Sequence, residues 1–134
     1  MRPESDTHRL DPGPYSYPVH AAAFEFALCI YEVTASFPPH ERFGMTGQLR
    51  RAATSIAANL AEGGARLGAR QLHHFVGMAY GSASECDVLL RLCARIGYLN
   101  EGQARRCLEL LETLSRQLLG ILRTLRKRNN AADG

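Results

Sequence analysis

Residues 101–127 read EGQARRCLELLETLSRQLLGILRTLRK, and this stretch decides the fold. Cys107, Leu111, Leu114, Leu118, Ile121 and Leu125 recur in alternating four- and three-residue steps. That spacing keeps side chains on one stripe of an α-helix packed against other helices. Asn100 stands just before the run and Gln103 three residues after it, a capping-box pair whose side chains take up N–H groups left open by the first turn. No proline interrupts the run, so a helix is predicted over 101–127.

Upstream, three more segments carry helical spacing. The chain is mostly apolar from Pro18 to Phe37, with Glu25 and Glu32 seven residues apart on one narrow face, and Pro38-Pro39 ends the run. Thr46 is placed to cap a second helix over 47–63, in which Leu49, Ala53, Ile56 and Leu60 recur and which Gly63-Gly64 should terminate. A third helix is predicted over 69–96, with Leu72, Phe75, Ala79, Cys86, Leu90 and Cys93 on one stripe and Gly97 as its stop. Connections of roughly four to eight residues cannot carry the chain back along a helix of about 30–40 Å, so successive helices should run antiparallel. An all-α, up-down-up-down four-helix bundle over 18–128 follows. Residues 1–17, with Pro3, Pro12, Gly13 and Pro14 and no periodicity, read as a disordered arm, and 129–134 as a disordered tail.

The bulk numbers fit one domain. A chain of 134 residues buries roughly two-thirds of the surface it exposes when unfolded, and 46% hydrophobic with 22% charged residues is ordinary for a globular protein. The longest apolar stretch, 21–31, is broken by Glu25 and falls short of the roughly 20 residues of a membrane span. The polar, proline-rich N-terminus is unlike a secretory signal, so a cytoplasmic protein without membrane contact is expected. Cys29, Cys86, Cys93 and Cys107 lack Cys-x-x-Cys spacing and sit in apolar helical runs, which predicts buried free thiols. The net charge is +3, and fifteen of the sixteen cationic residues are arginine. The planar guanidinium suits phosphate, although a coding preference for arginine gives the same count.

Two helices carry more apolar surface than a lone bundle hides. The first offers water only His20, Glu25, Glu32, Thr34 and Ser36, and the fourth carries Leu108, Leu119 and Leu122 beside its main seam. Self-association would cover both, or Tyr15 and Tyr17 of the arm could fold back over them.

The segment Gln48-Leu49-Arg50-Arg51-Ala52-Ala53-Thr54-Ser55-Ile56-Ala57-Ala58-Asn59-Leu60-Ala61-Glu62-Gly63 resembles the bacterial 23S rRNA intervening-sequence protein family, also called the S23 or four-helix bundle family. Phe37-Pro38, Glu41-Arg42-Phe43-Gly44, Phe75, Gly81-Ser82, Glu85 and Gly97-Tyr98-Leu99 extend the likeness. The resemblance implies a four-helix bundle assembled as a homopentamer, with no established enzymatic activity for most members. A related branch, the accessory proteins of diversity-generating retroelements, comprises basic pentamers that bind a reverse transcriptase and nucleic acid. This sequence looks closer to the intervening-sequence branch. It departs from the family pattern at Gly68, where a serine cap is frequent, and in Ala69-Arg70-Gln71-Leu72-His73-His74, which lacks the usual lysines.

Two sets of residues stand out as candidate sites. Arg51, Ser55, Asn59 and Glu62 advance by four, four and three along the second helix and form one polar stripe, either a ligand site or, as favoured by the small alanines around it, a structural hydrogen-bond network. On the fourth helix Arg105-Glu109 and Glu112-Arg116 can pair, whereas Arg123, Arg126, Lys127 and Arg128 have no acidic neighbour before Asp133. Arg116, Arg123, Arg126, Lys127 and Arg128 are therefore the candidate nucleic-acid contacts. The same cations would also sit favourably at the negative end of a helix dipole. Gly77 and Gly81 suggest close helix packing.

No catalytic, metal or cofactor site is predicted. Gly63 and Gly68 have phosphate-loop spacing, but Ala69-Arg70 replaces the Lys-Ser/Thr pair. No glutamate is followed by histidine at the Glu-x-x-His spacing of a di-iron bundle. A non-enzymatic homo-oligomer that binds RNA or single strands is the leading expectation. The alternative is a scaffold that receives a partner protein such as a reverse transcriptase.

Overall fold

Heptad-like stripes on four helices meet in one core. The computed structural model describes residues 18–65 and 68–133. Its helices are α1 (Pro18–Thr34), α2 (Met45–Ala65), α3 (Ala69–Ile96) and α4 (Glu101–Asp133), with a short 3-10 turn at Pro39–Glu41 and no strand among the described residues. Val19, Ala23, Phe26, Ile30 and Val33 of α1 are buried against Leu49, Ile56 and Leu60 of α2, Val76, Ala79, Cys86 and Leu90 of α3, and Cys107, Leu111, Leu114 and Leu118 of α4. A buried leucine such as Leu114 contributes about 2–5 kcal/mol relative to alanine.

Each helix packs on two neighbours: α2 on α1 and α3, α4 on α3 and α1. Ser55 meets Ser82 while Gly63 meets Leu72 and Phe75, so α2 and α3 run antiparallel. Cys29 opposite Cys107 and Val19 beside Ile121 set the same sense for α1 and α4. Arg50 near the start of α2 bonds Thr34 at the end of α1, so the bundle is up-down-up-down, with α1 and α3 on opposite corners.

Several boundaries differ from the sequence expectation for physical reasons. α1 ends at Thr34 and not at Phe37, because Pro38 and Pro39 lack the N–H groups that would bond the carbonyls of Thr34 and Ala35. Phe37 N–H donates to the Thr34 carbonyl instead, at 3.1 Å. Thr34 is buried and not part of the water-facing side of α1; its hydroxyl donates to the Ile30 carbonyl at 2.6 Å and accepts Arg50 Nε–H at 2.9 Å. Thr46 does not cap α2, which starts one residue earlier: the Glu41 carboxylate accepts the Met45 N–H at 3.1 Å. Gly63 does not end α2 but lies buried inside it. A Cβ at Gly63 would stand 2.9 Å from Phe75 Cβ and 3.2 Å from Leu72 Cδ1, so glycine here permits close approach of α3.

Residues 129–133, expected as a disordered tail, continue α4 as helix. No proline or glycine interrupts them, and Arg126, Lys127 and Arg128 lie before the last turn, so the helix dipole does not account for these cations. Gly77 and Gly81 have no atom within 4 Å of where a Cβ would stand, so close helix packing does not account for them. The expected arm at 1–17, with Tyr15 and Tyr17, lies outside the described residues.

One end of the bundle is tied by residues far apart in sequence. Gly97, in the left-handed region at φ 99°, ends α3; its N–H and that of Tyr98 bond the Ala94 and Cys93 carbonyls at 3.2 and 2.9 Å. This turn aims Tyr98 at the α1–α2 connection, where its hydroxyl donates to Glu41 Oε2 at 2.8 Å and its ring lies 5.3 Å from that of Phe37. Asn100 and Gln103 exchange hydrogen bonds of 2.8 and 3.0 Å at the start of α4, the predicted capping box.

Candidate functional site

The polar stripe of α2 faces α3. Ser55 and Ser82 hydroxyls lie 3.0 Å apart, and Asn59 Nδ2 donates to the Ser55 carbonyl and hydroxyl at 2.9 and 3.0 Å. Gln48, Arg51, Ala52, Ser55, Ser82 and Glu85 line a cleft of about 260 Å³ along this seam. Arg51 and Glu62 are exposed at the two ends of the stripe. The Ser55–Ser82 bond joins α2 to α3, Asn59 fixes the Ser55 hydroxyl, and Arg51 and Glu85 are the charged groups that line the cleft.

The cations of α4 divide into two groups. In the first half of the helix they are paired: Arg105 with Glu101 at 3.0 Å, Arg116 with Glu112, and Arg106 with Glu32 of α1 at 2.8 Å. The Arg105 partner is Glu101 and not the expected Glu109, which is equally spaced along the helix. Arg116, a candidate contact from the sequence, is thus partly neutralised. Arg123, Arg126, Lys127 and Arg128 are exposed and form no ion pair with a described carboxylate.

Pro18 and Val19, at the start of α1, share a hollow of about 660 Å³ with Gln117, Gly120, Ile121 and Thr124. The α4 residues beyond Leu125 therefore extend past the start of α1, and their cations stand clear of that helix.

The outer apolar surface lies partly where the sequence placed it. On α1, Phe24 and Leu28 are 51% and 58% exposed, and Tyr31 is half-exposed under the Arg50 guanidinium, 4.6 Å from its ring centre. On α4 the expectation is corrected: Leu108, Leu119 and Leu122 are half-buried, with Leu108 and Leu122 packed against the core. The second exposed face belongs instead to α3, through Met78, Val88 (63% exposed), Leu92 and Ile96. Val88, Leu92 and Ile96 recur every four residues beside the core stripe, which is the signal that could have revealed them. Among the described residues no helix is long and apolar enough to cross a membrane, and no three His, Cys, Asp or Glu side chains gather as a metal site.

Residues 16–120 match the family model described as 23S rRNA-intervening sequence protein. The chain is also similar to a crystal structure of a protein with unknown function from the S23 ribosomal protein family of Bacteroides thetaiotaomicron. The two share 24% identity with a TM-score of 0.73, over 78% of this chain and 95% of that one. That likeness concerns the fold. No curated protein matches.

Proposed function

The chain belongs to the 23S rRNA-intervening sequence protein family, and from that premise we propose that it is a non-enzymatic subunit of a homopentameric ring that binds nucleic acid, RNA or single strands, through the end of α4. The observation that carries the reading is the exposed group Arg123, Arg126, Lys127 and Arg128, which has no ion pair to a described carboxylate. Guanidinium forks without carboxylates remain available to phosphate oxygens.

The ring is supported by where the two apolar faces lie. They are on α1 and α3, at opposite corners of the bundle, so contact between α1 of one copy and α3 of the next uses different surfaces on the two partners. Such a head-to-tail interface closes into a ring when its rotation closes. Gly77 and Gly81, with open space at their Cβ positions, keep the α3 face low beside Met78. Cyclic symmetry then brings every α4 terminus to one side of the assembly, where positive charge from all copies adds.

Sedimentation measures the assembly, and fluorescence polarisation with a labelled single-stranded RNA across a salt series measures the binding. The expected result is an oligomer whose log Kd rises linearly with log salt. A monomer that binds no RNA at low ionic strength would overturn the reading.

A second reading rests on the groove between α3 and α4, of about 620 Å³, lined by the buried Ala83 and Leu111, by Leu108, and by the charged Asp87, Arg91, Arg105 and Glu109. Mixed charge beside an apolar lining suits a helix of a partner protein, such as a reverse transcriptase. Partner capture that survives nuclease treatment favours it.

A further inference from the structure

All four cysteines are buried and free, and two of them are hydrogen-bonded neighbours. Cys29 of α1 and Cys107 of α4 face each other where the two helices pack, with their sulfurs 3.0 Å apart and neither side chain exposed. A disulfide bond is about 2.05 Å long, so the pair is about 1 Å from bonding distance. On the surface beside them the Glu32–Arg106 ion pair, at 2.8 Å, fastens the same two helices. Cys86 and Cys93, both on α3, make no sulfur–sulfur hydrogen bond among the described residues.

We propose that Cys29 and Cys107 are a disulfide-forming pair that staples α1 to α4 when the protein meets a peroxide. One thiol is oxidised by hydrogen peroxide to a sulfenic acid, with release of one water. The sulfur of the other then displaces the sulfenic hydroxyl, which leaves as a second water, and the S–S bond forms. Two electrons and two protons pass from the thiols to the peroxide.

Burial sets the tempo of the first step. It raises the pKa of Cys107 above the ordinary thiol value, and the hydrogen bond with Cys29 raises it further, so Cys107 rests as the thiol. Oxidation therefore waits on transient loosening of α1, the shortest of the four helices. The second step needs no encounter, because the partner sulfur is already in contact, and it should outrun further oxidation of the sulfenic acid. Burial pushes Cys86 up to about 12 and Cys93 up to about 11, and neither shares a sulfur–sulfur hydrogen bond among the described residues.

The test treats the full chain with a hydrogen peroxide series, alkylates the remaining thiols, and maps the peptides without reduction. The expected product is a Cys29–Cys107 peptide pair lighter by two hydrogens, with Cys86 and Cys93 alkylated. The link closes a loop that contains α2 and α3, so the melting temperature should rise by on the order of 10 °C and fall back with dithiothreitol. Cys29→Ala should abolish both effects. Three results would overturn the proposal: separate sulfinic acids at the two positions, links through Cys86 or Cys93 or between chains, or intact thiols at peroxide doses that oxidise free glutathione. The peptide map is made on the unmutated protein, so it decides the matter even if the variant fails to fold.

Discussion

The two ends of the bundle use their polar residues in opposite ways. At the α3–α4 turn Glu41, Tyr98, Asn100 and Gln103 all bond one another or the backbone nearby. At the far end Arg123, Arg126, Lys127 and Arg128 form no ion pair with a described carboxylate, and the buried Gln117 Oε1 has no hydrogen-bond partner among the described residues. Groups that satisfy each other fix the geometry of helix ends, while groups left open are what another molecule can use. The first end is held by its own bonds, and the second carries the charges on which the proposed binding rests.

Charge reversal at the open end tests this division most strongly. Arg123→Glu with Arg126→Glu should weaken RNA binding on the order of 100-fold at low salt and flatten its salt dependence. The melting temperature should move little, because both side chains are exposed. The competing account, that these cations only keep the surface charged and solvated, expects unchanged RNA binding at every salt concentration. Binding and melting curves on one preparation separate the two.

Open chemistry does not mean loose packing, and Gly63, toward the same end, shows the difference. Gly63→Val would drive a side chain into Phe75 Cβ and Leu72 and should destabilise the fold by about 1–3 kcal/mol. Gly77→Ala and Gly81→Ala, with open space at the Cβ, should instead be neutral or stabilise by up to about 1 kcal/mol each in a monomer. Denaturant midpoints measure all three. Equal losses at the three positions would show that the α2–α3 seam does not depend on the close approach at Gly63.

The core was legible because it is periodic. The Cys107-to-Leu125 stripe and the Gly97 stop could be read residue by residue, since each rests on local spacing or one backbone conformation. What escaped depends on contacts between distant segments. Glu41 as the cap of α2 and as partner of Tyr98 joins residues 57 apart, and no spacing rule points to it. Gly63 was misjudged because a glycine near a helix end looks like a stop until the neighbouring helix is in place. The outer face of α3 was hidden by the stronger core stripe beside it, so the excess apolar surface was assigned to Leu108, Leu119 and Leu122 of α4. Within the candidate site, Arg123 to Arg128 could be seen as cations without acidic neighbours along the helix. Arg106 pairs with Glu32 across the bundle, which only the fold reveals.

The smallest expected effect is at the satisfied end, in the pH dependence of Tyr98→Phe. The bonds from the Met45 N–H and the Tyr98 hydroxyl hold the Glu41 carboxyl below its ordinary value of 4.5, with the nearby His40 adding to the effect. Neither bond exists in the unfolded chain, so the ionised carboxylate stabilises the fold fully above that ordinary value. The contribution fades as pH falls through the lower folded value. Removing the hydroxyl takes away one donor and moves the folded value back toward the unfolded one. The melting temperature of the variant should therefore lie below that of the parent at about pH 7, and the gap should narrow as pH falls through the lowered folded value of the parent. The Phe37–Tyr98 ring contact supplies the contrary case, since packing does not titrate. A gap that stays constant across the series would assign the role of Tyr98 to its ring, and the tie between the two loops would then be apolar.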